Sequence, residues 1–176
     1  MKLIPKTLIL LMMLCFGFIS IDPVYAEKAS PKNSAKSFNM KQVDCGRYLS
    51  IIAGCNDCHT PGYLLSEGKV PEKSWFTGDR FGWRGPWGTT YAANLRIFIN
   101  AMTEDRWVKT ARTSKARPPM PWFDLNIMKK EDLKAIYQFI RFLGVSGEPA
   151  PAYVPPDQEP TTPFALFPSP PKQDRQ

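Results

Sequence analysis

The stretch Cys55-Asn56-Asp57-Cys58-His59 constrains this 176-residue chain more than any other. Two thiols separated by two residues on one tight helical turn, followed at once by an imidazole, form the C-x-x-C-H pattern by which a c-type haem is attached. The spacing has a chemical reason. Each thiol can reach one vinyl group of a porphyrin and close a thioether. The next residue, His59, is then held beneath the iron, where an imidazole nitrogen is the usual proximal ligand.

Other chemistries of the same residues fit less well. A thioredoxin-like dithiol sits at a helix start within a strand-helix-strand alternation, and no such alternation surrounds residue 55. Cys45, Cys55, Cys58 and His59 supply four zinc ligands by count. Structural zinc sites, however, use two well-separated ligand pairs, whereas Cys58 and His59 are sequence neighbours. A disulfide between Cys55 and Cys58 closes a short, strained loop with little entropic return.

His59 is the only histidine in the chain, and C-x-x-C-H occurs once, so the sequence predicts one haem without a second imidazole from the same chain. The sixth iron ligand then comes from methionine, lysine, water or another molecule. Methionine opposite histidine is the pairing that raises the potential in cytochromes c. Met120 stands in Arg117-Pro118-Pro119-Met120-Pro121-Trp122, where prolines on both sides exclude helix and stiffen the backbone. That rigidity suits the presentation of a thioether, and Met120 is the predicted axial sulfur. Met40, Met102 and Met128 compete with it as ordinary core fillers, Met128 being the second choice.

The amino-terminal 26 residues carry Lys2 and Lys6, an apolar run from Thr7 to Ile21, and Val24-Tyr25-Ala26. These are the three parts of an export signal, with cleavage expected after Ala26 and a periplasmic mature protein. The apolar run is shorter than the ~20 residues of a spanning helix and is broken by Asp22-Pro23, so a membrane role arises only if the signal stays uncleaved. Cleavage removes 26 of 176 residues, with Lys2, Lys6 and Asp22 among them, and lowers the formal charge from +7 to +6. The remaining 150 residues suffice for one domain. A basic balance favours acidic protein partners or anionic surfaces. No nucleic-acid recognition motif accompanies it. Cys45, unpaired once haem takes Cys55 and Cys58, reads as a small buried hydrophobe.

Residues 27–38 read as a flexible polar lead, 39–146 as the haem-bearing domain and 147–176 as a proline-rich extended tail. A first helix is expected over Met40 to Ile52, with Val43, Tyr48, Leu49 and Ile52 on its apolar face and Gly54 at its end. A second starts from Thr103 and runs to about Arg112. A third covers Lys130 to Leu143, where Leu133, Ile136, Tyr137 and Ile140 form a stripe and Gly144 a stop. Trp75 to Tyr91, rich in glycine and tryptophan, reads as an irregular loop. Its aromatics are candidate walls of the porphyrin pocket, with Arg80, Arg84, Trp87 and Tyr91 as candidate pocket or propionate partners.

On Cys55, Cys58 and His59, on Met120 in its proline-flanked loop, and on Leu133-Lys134-Ala135-Ile136-Tyr137, residues 40 to 144 resemble a class I monohaem cytochrome c. Gly85-Pro86-Trp87-Gly88-Thr89-Thr90-Tyr91 and Pro119-Met120-Pro121-Trp122 are similar to bacterial cytochromes c related to dehydrogenase subunits. The resemblance implies an all-α fold in which the first and last helices cross near Gly46 and Tyr137 around one covalently bound haem. It departs at Lys129, where relatives carry a Ser or Thr cap, and at Cys45. The expected role is an electron-transfer protein rather than an enzyme, exchanging single electrons with a dehydrogenase, an oxidase or another cytochrome. Two alternatives stay open: a permanently bound cytochrome subunit of an exported dehydrogenase or oxidase, and a ligand-binding or peroxidatic haem protein with a labile sixth position.

Overall fold

The computed structural model describes residues 37–168. The expected signal, residues 1–26, lies outside them, as does the polar lead up to residue 36. In chain order the elements are helices α1 (Met40–Ile52) and α2 (Cys55–His59), strands β1 (Gly82–Gly85) and β2 (Gly88–Tyr91), helices α3 (Leu95–Asn100), α4 (Glu104–Thr113), α5 (Trp122–Ile127) and α6 (Lys130–Leu143), and strand β3 (Phe164–Leu166). None of these helices is long and apolar enough to cross a membrane.

The three long helices begin and end for local reasons. The Asn39 side chain accepts from the Gln42 amide to start α1, and Thr103 accepts from the Arg106 amide to start α4. Lys129, at the head of α6, gives no side-chain cap, and Glu131 and Asp132 in the first turn face the positive end of the helix instead. At the other end of α6 the buried Arg96 guanidinium donates to the carbonyls of Leu143 and Gly144, and also to Lys73 at 3.1 Å. A cation against the last carbonyls satisfies groups that have no intrahelical partner. Burial lowers the Arg96 pKa from its ordinary value.

α1 and α6 pack against each other backbone to backbone. A Cβ on Gly46 would overlap the Ala135 carbonyl and lie 2.9 Å from the Phe139 Cβ. The inward face of α1 is therefore Val43, Gly46 and Ser50, small enough for close approach, while Tyr48 and Ile52 are about 60% exposed. This corrects the apolar face expected from sequence. Around the crossing, Val43, Phe76, Ile99, Leu133, Phe139 and Ile140 form the centre of the core, with Trp75 edge-on to Phe76 and Phe139.

The expected all-α class I cytochrome c fold is overturned by a three-stranded sheet, and the architecture is mixed α/β, with 43% of the described residues helical. β1 is the central strand. It pairs antiparallel with β2, Gly85 facing Gly88 across the two-residue turn Pro86-Trp87, and parallel with β3 from the tail. The segment Trp75 to Tyr91 is thus not irregular throughout. Its glycines obscure strand residues such as Trp83, Thr89, Thr90 and Tyr91, whose branched or aromatic side chains favour a pleated surface. The tail is held along its course: Val154 exchanges backbone hydrogen bonds with Thr89, and Arg84 donates to the carbonyls of Pro156 and Gln158 and to Glu159.

The helix contact gives a direct test. Gly46→Ala is expected to lower stability by about 1–3 kcal/mol through overpacking, read as a drop in the denaturant midpoint. Gly144→Ala meets no atom within 4 Å, but its φ of +74° and ψ of −178° lie in a region kept almost entirely by glycine, so its cost is backbone strain of about 1–3 kcal/mol without repacking. A Gly46→Ala chain as stable as the parent contradicts the packing described.

Candidate functional site

The C-x-x-C-H residues occupy the single turn α2, and the way into that turn is set by Gly54. Its φ of +65° reverses the chain direct from the end of α1, a left-handed conformation that favours glycine. Two internal bonds fasten the turn to the core. Thr60 Oγ1 donates to Asn56 Oδ1 at 2.6 Å and accepts from the Phe76 amide at 2.9 Å, both side chains being fully buried. The His59 carbonyl accepts from the Gly78 amide at 2.9 Å.

The His59 ring is fixed by a backbone oxygen. Nδ1 lies 2.7 Å from the Ala93 carbonyl, and a carbonyl can only accept, so Nδ1 carries the proton. The neutral tautomer then has its lone pair on Nε2, the arrangement in which a second partner orients a metal-binding imidazole. Burial pushes the His59 pKa down, against the opposing effect of the Ala93 bond, and this favours the neutral ring. Burial also raises both thiols, Cys55 to about 11, with Asp57 adding to the effect at each.

Cys55, Cys58, His59 and Met120 all line one cavity of about 740 Å³. Its walls are chiefly apolar and come from several elements: Leu95 of α3, Trp107 of α4, Ile140 of α6 and Tyr91 of β2. Cavities that bury a ligand of drug size span roughly 300–1,000 Å³, so this one has room for a group of that size. Thr90 Oγ1, on the same wall, is buried without a hydrogen-bond partner. A soft sulfur, an imidazole lone pair, two thiols and an unpartnered hydroxyl around an apolar chamber fit a tethered iron porphyrin. A second, smaller groove of about 540 Å³ beside Lys109, Arg112, Lys130 and Lys134 contains none of these groups.

The chain matches no protein-family model, no curated protein and no solved structure.

The remaining sequence candidates separate into two groups. Tyr91 lines the cavity, and its hydroxyl meets Thr162 Oγ1 at 2.7 Å. Arg84 is taken up by the tail, Trp87 packs its ring on Phe167 with centroids 5.3 Å apart, and Arg80 is exposed; none of the three lines the cavity. Met128 does line it, yet it also packs on the hydrophobic core, whereas Met120 does not. Cys45 is exposed on α1, which corrects its reading as a buried residue. Among the described residues no three His, Cys, Asp or Glu side chains gather around a metal-sized point. Sequence reasoning missed the Ala93 carbonyl, which has no side-chain signature, and Lys115 and Arg117 at the exposed rim.

Thiol chemistry checks the burial. In folded chain whose thiols are free, iodoacetamide at pH 8 is expected to modify Cys45 at least about tenfold faster than Cys55, since a thiol with a pKa near 11 is only about 0.1% thiolate there. Because the pKa is raised, the Cys55 rate climbs as pH approaches 11. Peptide mapping by mass spectrometry reads both rates, and denaturant is expected to equalise them.

Proposed function

We propose that this chain is an exported one-electron carrier with a single covalently attached haem. Cys55 and Cys58 would hold the porphyrin as thioethers, and His59 Nε2 and the Met120 sulfur would ligate its iron. The observation that carries the reading is the convergence of these four residues on one apolar cavity, with the far nitrogen of His59 already engaged. Bound there, the group supplies a one-electron iron couple.

The rest is the work of the chain's own residues. Covalent tethering by Cys55 and Cys58 keeps the group in place irrespective of the iron's oxidation state. The Ala93 carbonyl holds the His59 ring in the tautomer that leaves Nε2 bare. Met120, set between Pro119 and Pro121, offers a soft, neutral ligand from a stiff loop, and thioether ligation raises the potential. Apolar walls such as Trp107 and Ile140 disfavour the extra charge of the oxidised state, which acts in the same direction. With His59 and Met120 both ligating the iron, the chain would leave no open coordination site for substrate chemistry. The formal charge of +6 after signal cleavage, with the exposed Lys115 and Arg117 at the cavity rim, favours an acidic redox protein as partner.

Full-length chain matured in an exporting host tests this. Wild type is expected to keep its pigment through denaturation and acidified solvent, and Cys55→Ser with Cys58→Ser to lose it. Met120→Ala is expected to change the ferric spectrum and to lower the potential by on the order of 100 mV. Met128→Ala leaves the ferric spectrum as it is. A colourless wild type overturns the proposal, and unchanged ligation in Met120→Ala overturns the sixth ligand.

A further inference from the structure

Two walls of the cavity come from segments that scarcely hold each other. The β1–β2 hairpin supplies Trp83 and Tyr91, and the loop after α4 supplies Arg117 and Met120. Among the described residues no backbone hydrogen bond joins that loop to the hairpin. The loop's own side-chain anchors run to α4 and α5. Ser114 Oγ donates to the Thr110 carbonyl at 2.6 Å, and Asn126 Nδ2 donates to the carbonyls of Ala111 and Ser114 at 2.8 and 3.4 Å. What spans the gap is Tyr153 of the tail. The Arg117 guanidinium carbon lies 3.8 Å from the centre of the Tyr153 ring, and the Tyr153 hydroxyl donates to the Trp87 carbonyl at 2.8 Å. The ring is a fixed platform, because the next residue, Val154, exchanges two backbone hydrogen bonds with Thr89 at 3.0 and 2.7 Å.

We propose that Tyr153 and Arg117 are positioning residues for Met120, so that the carboxy-terminal tail clasps the sulfur-bearing loop across the cavity. The inference rests on the proposed ligation by Met120 and adds the device that keeps the thioether in place. A neutral sulfur on a loop anchored from one side alone swings away more often than one anchored from both. Each excursion exposes the iron to competing ligands. Arg117 stacked on Tyr153 reduces the population of that open arrangement, and removing either partner restores it.

The test uses full-length, haem-loaded protein in the ferric form, mixed with imidazole as the competing ligand and followed by absorbance. Tyr153→Ala and Arg117→Ala are each expected to speed imidazole binding about two- to fivefold, the factor matching an exposed cation–π contact. The double variant is expected to match either single one, since both remove the same contact. Tyr153→Phe keeps the ring and is expected to stay near the wild-type rate, whereas Arg117→Lys loses the planar stack and speeds binding. Amide hydrogen exchange over residues 117–122 is expected to rise in the same variants. If Tyr153→Ala does not fold, the surface change Arg117→Ala still decides. A rate unchanged in Arg117→Ala, or additive effects in the double variant, overturns the clasp. The two readings fail separately: a colourless wild type, or imidazole kinetics unaltered by Met120→Ala, removes the ligation itself, while intact ligation with insensitive Tyr153 and Arg117 variants removes only the clasp.

Discussion

The approach of α1 to α6 at Gly46 and Ala135 is the contact on which the rest depends. It sets the end of α1, and with it the left-handed turn at Gly54 and the C-x-x-C-H turn that follows. It also sets α6, whose Ile136 and Ile140 reach both the core and the cavity. A wider separation at Gly46 would shift the thiols and the imidazole relative to the wall they face. Because interiors pack densely, a single added methyl at this point has no space to enter without moving a helix.

The second constraint is electrostatic and local. His59 is buried, and a buried imidazole needs a partner for each polar nitrogen it keeps. The Ala93 carbonyl provides one for Nδ1, and the geometry leaves the other nitrogen as a lone pair at the cavity. Raised thiol pKa values at Cys55 and Cys58 point to the same apolar environment. Burial, tautomer and wall composition therefore meet in one small volume.

The parts of the fold that were legible in sequence are those with a repeating physical signal. α1, α4 and α6 follow from caps and periodicity, and the C-x-x-C-H turn and the stiff Met120 loop follow from residue chemistry at fixed spacing. α3 and α5 have six residues each, too few for a hydrophobic period to declare itself. The hairpin was concealed by glycines that weaken any strand reading, and β3 by a proline-rich tail whose pairing partner lies far back in the chain. Composition alone points Arg84 and Trp87 to the pocket. What decides their place is the tail, which engages the Arg84 side chain and the Trp87 ring on the hairpin. Tyr48 and Ile52 failed as core residues because close helix packing selects small side chains over apolar ones.

The parallel pairing of β1 with β3 has a consequence for biogenesis. Ribosomal synthesis yields Gly82–Gly85 long before Phe164–Leu166, so one margin of the middle strand, with its unpaired amides and carbonyls, has no partner until the chain has reached β3. During that interval the nascent hairpin is a template for association with other unfinished copies. Closure of the sheet is therefore a late step relative to the hairpin, and any factor that shields the bare margin in the interval acts on the yield of native molecules.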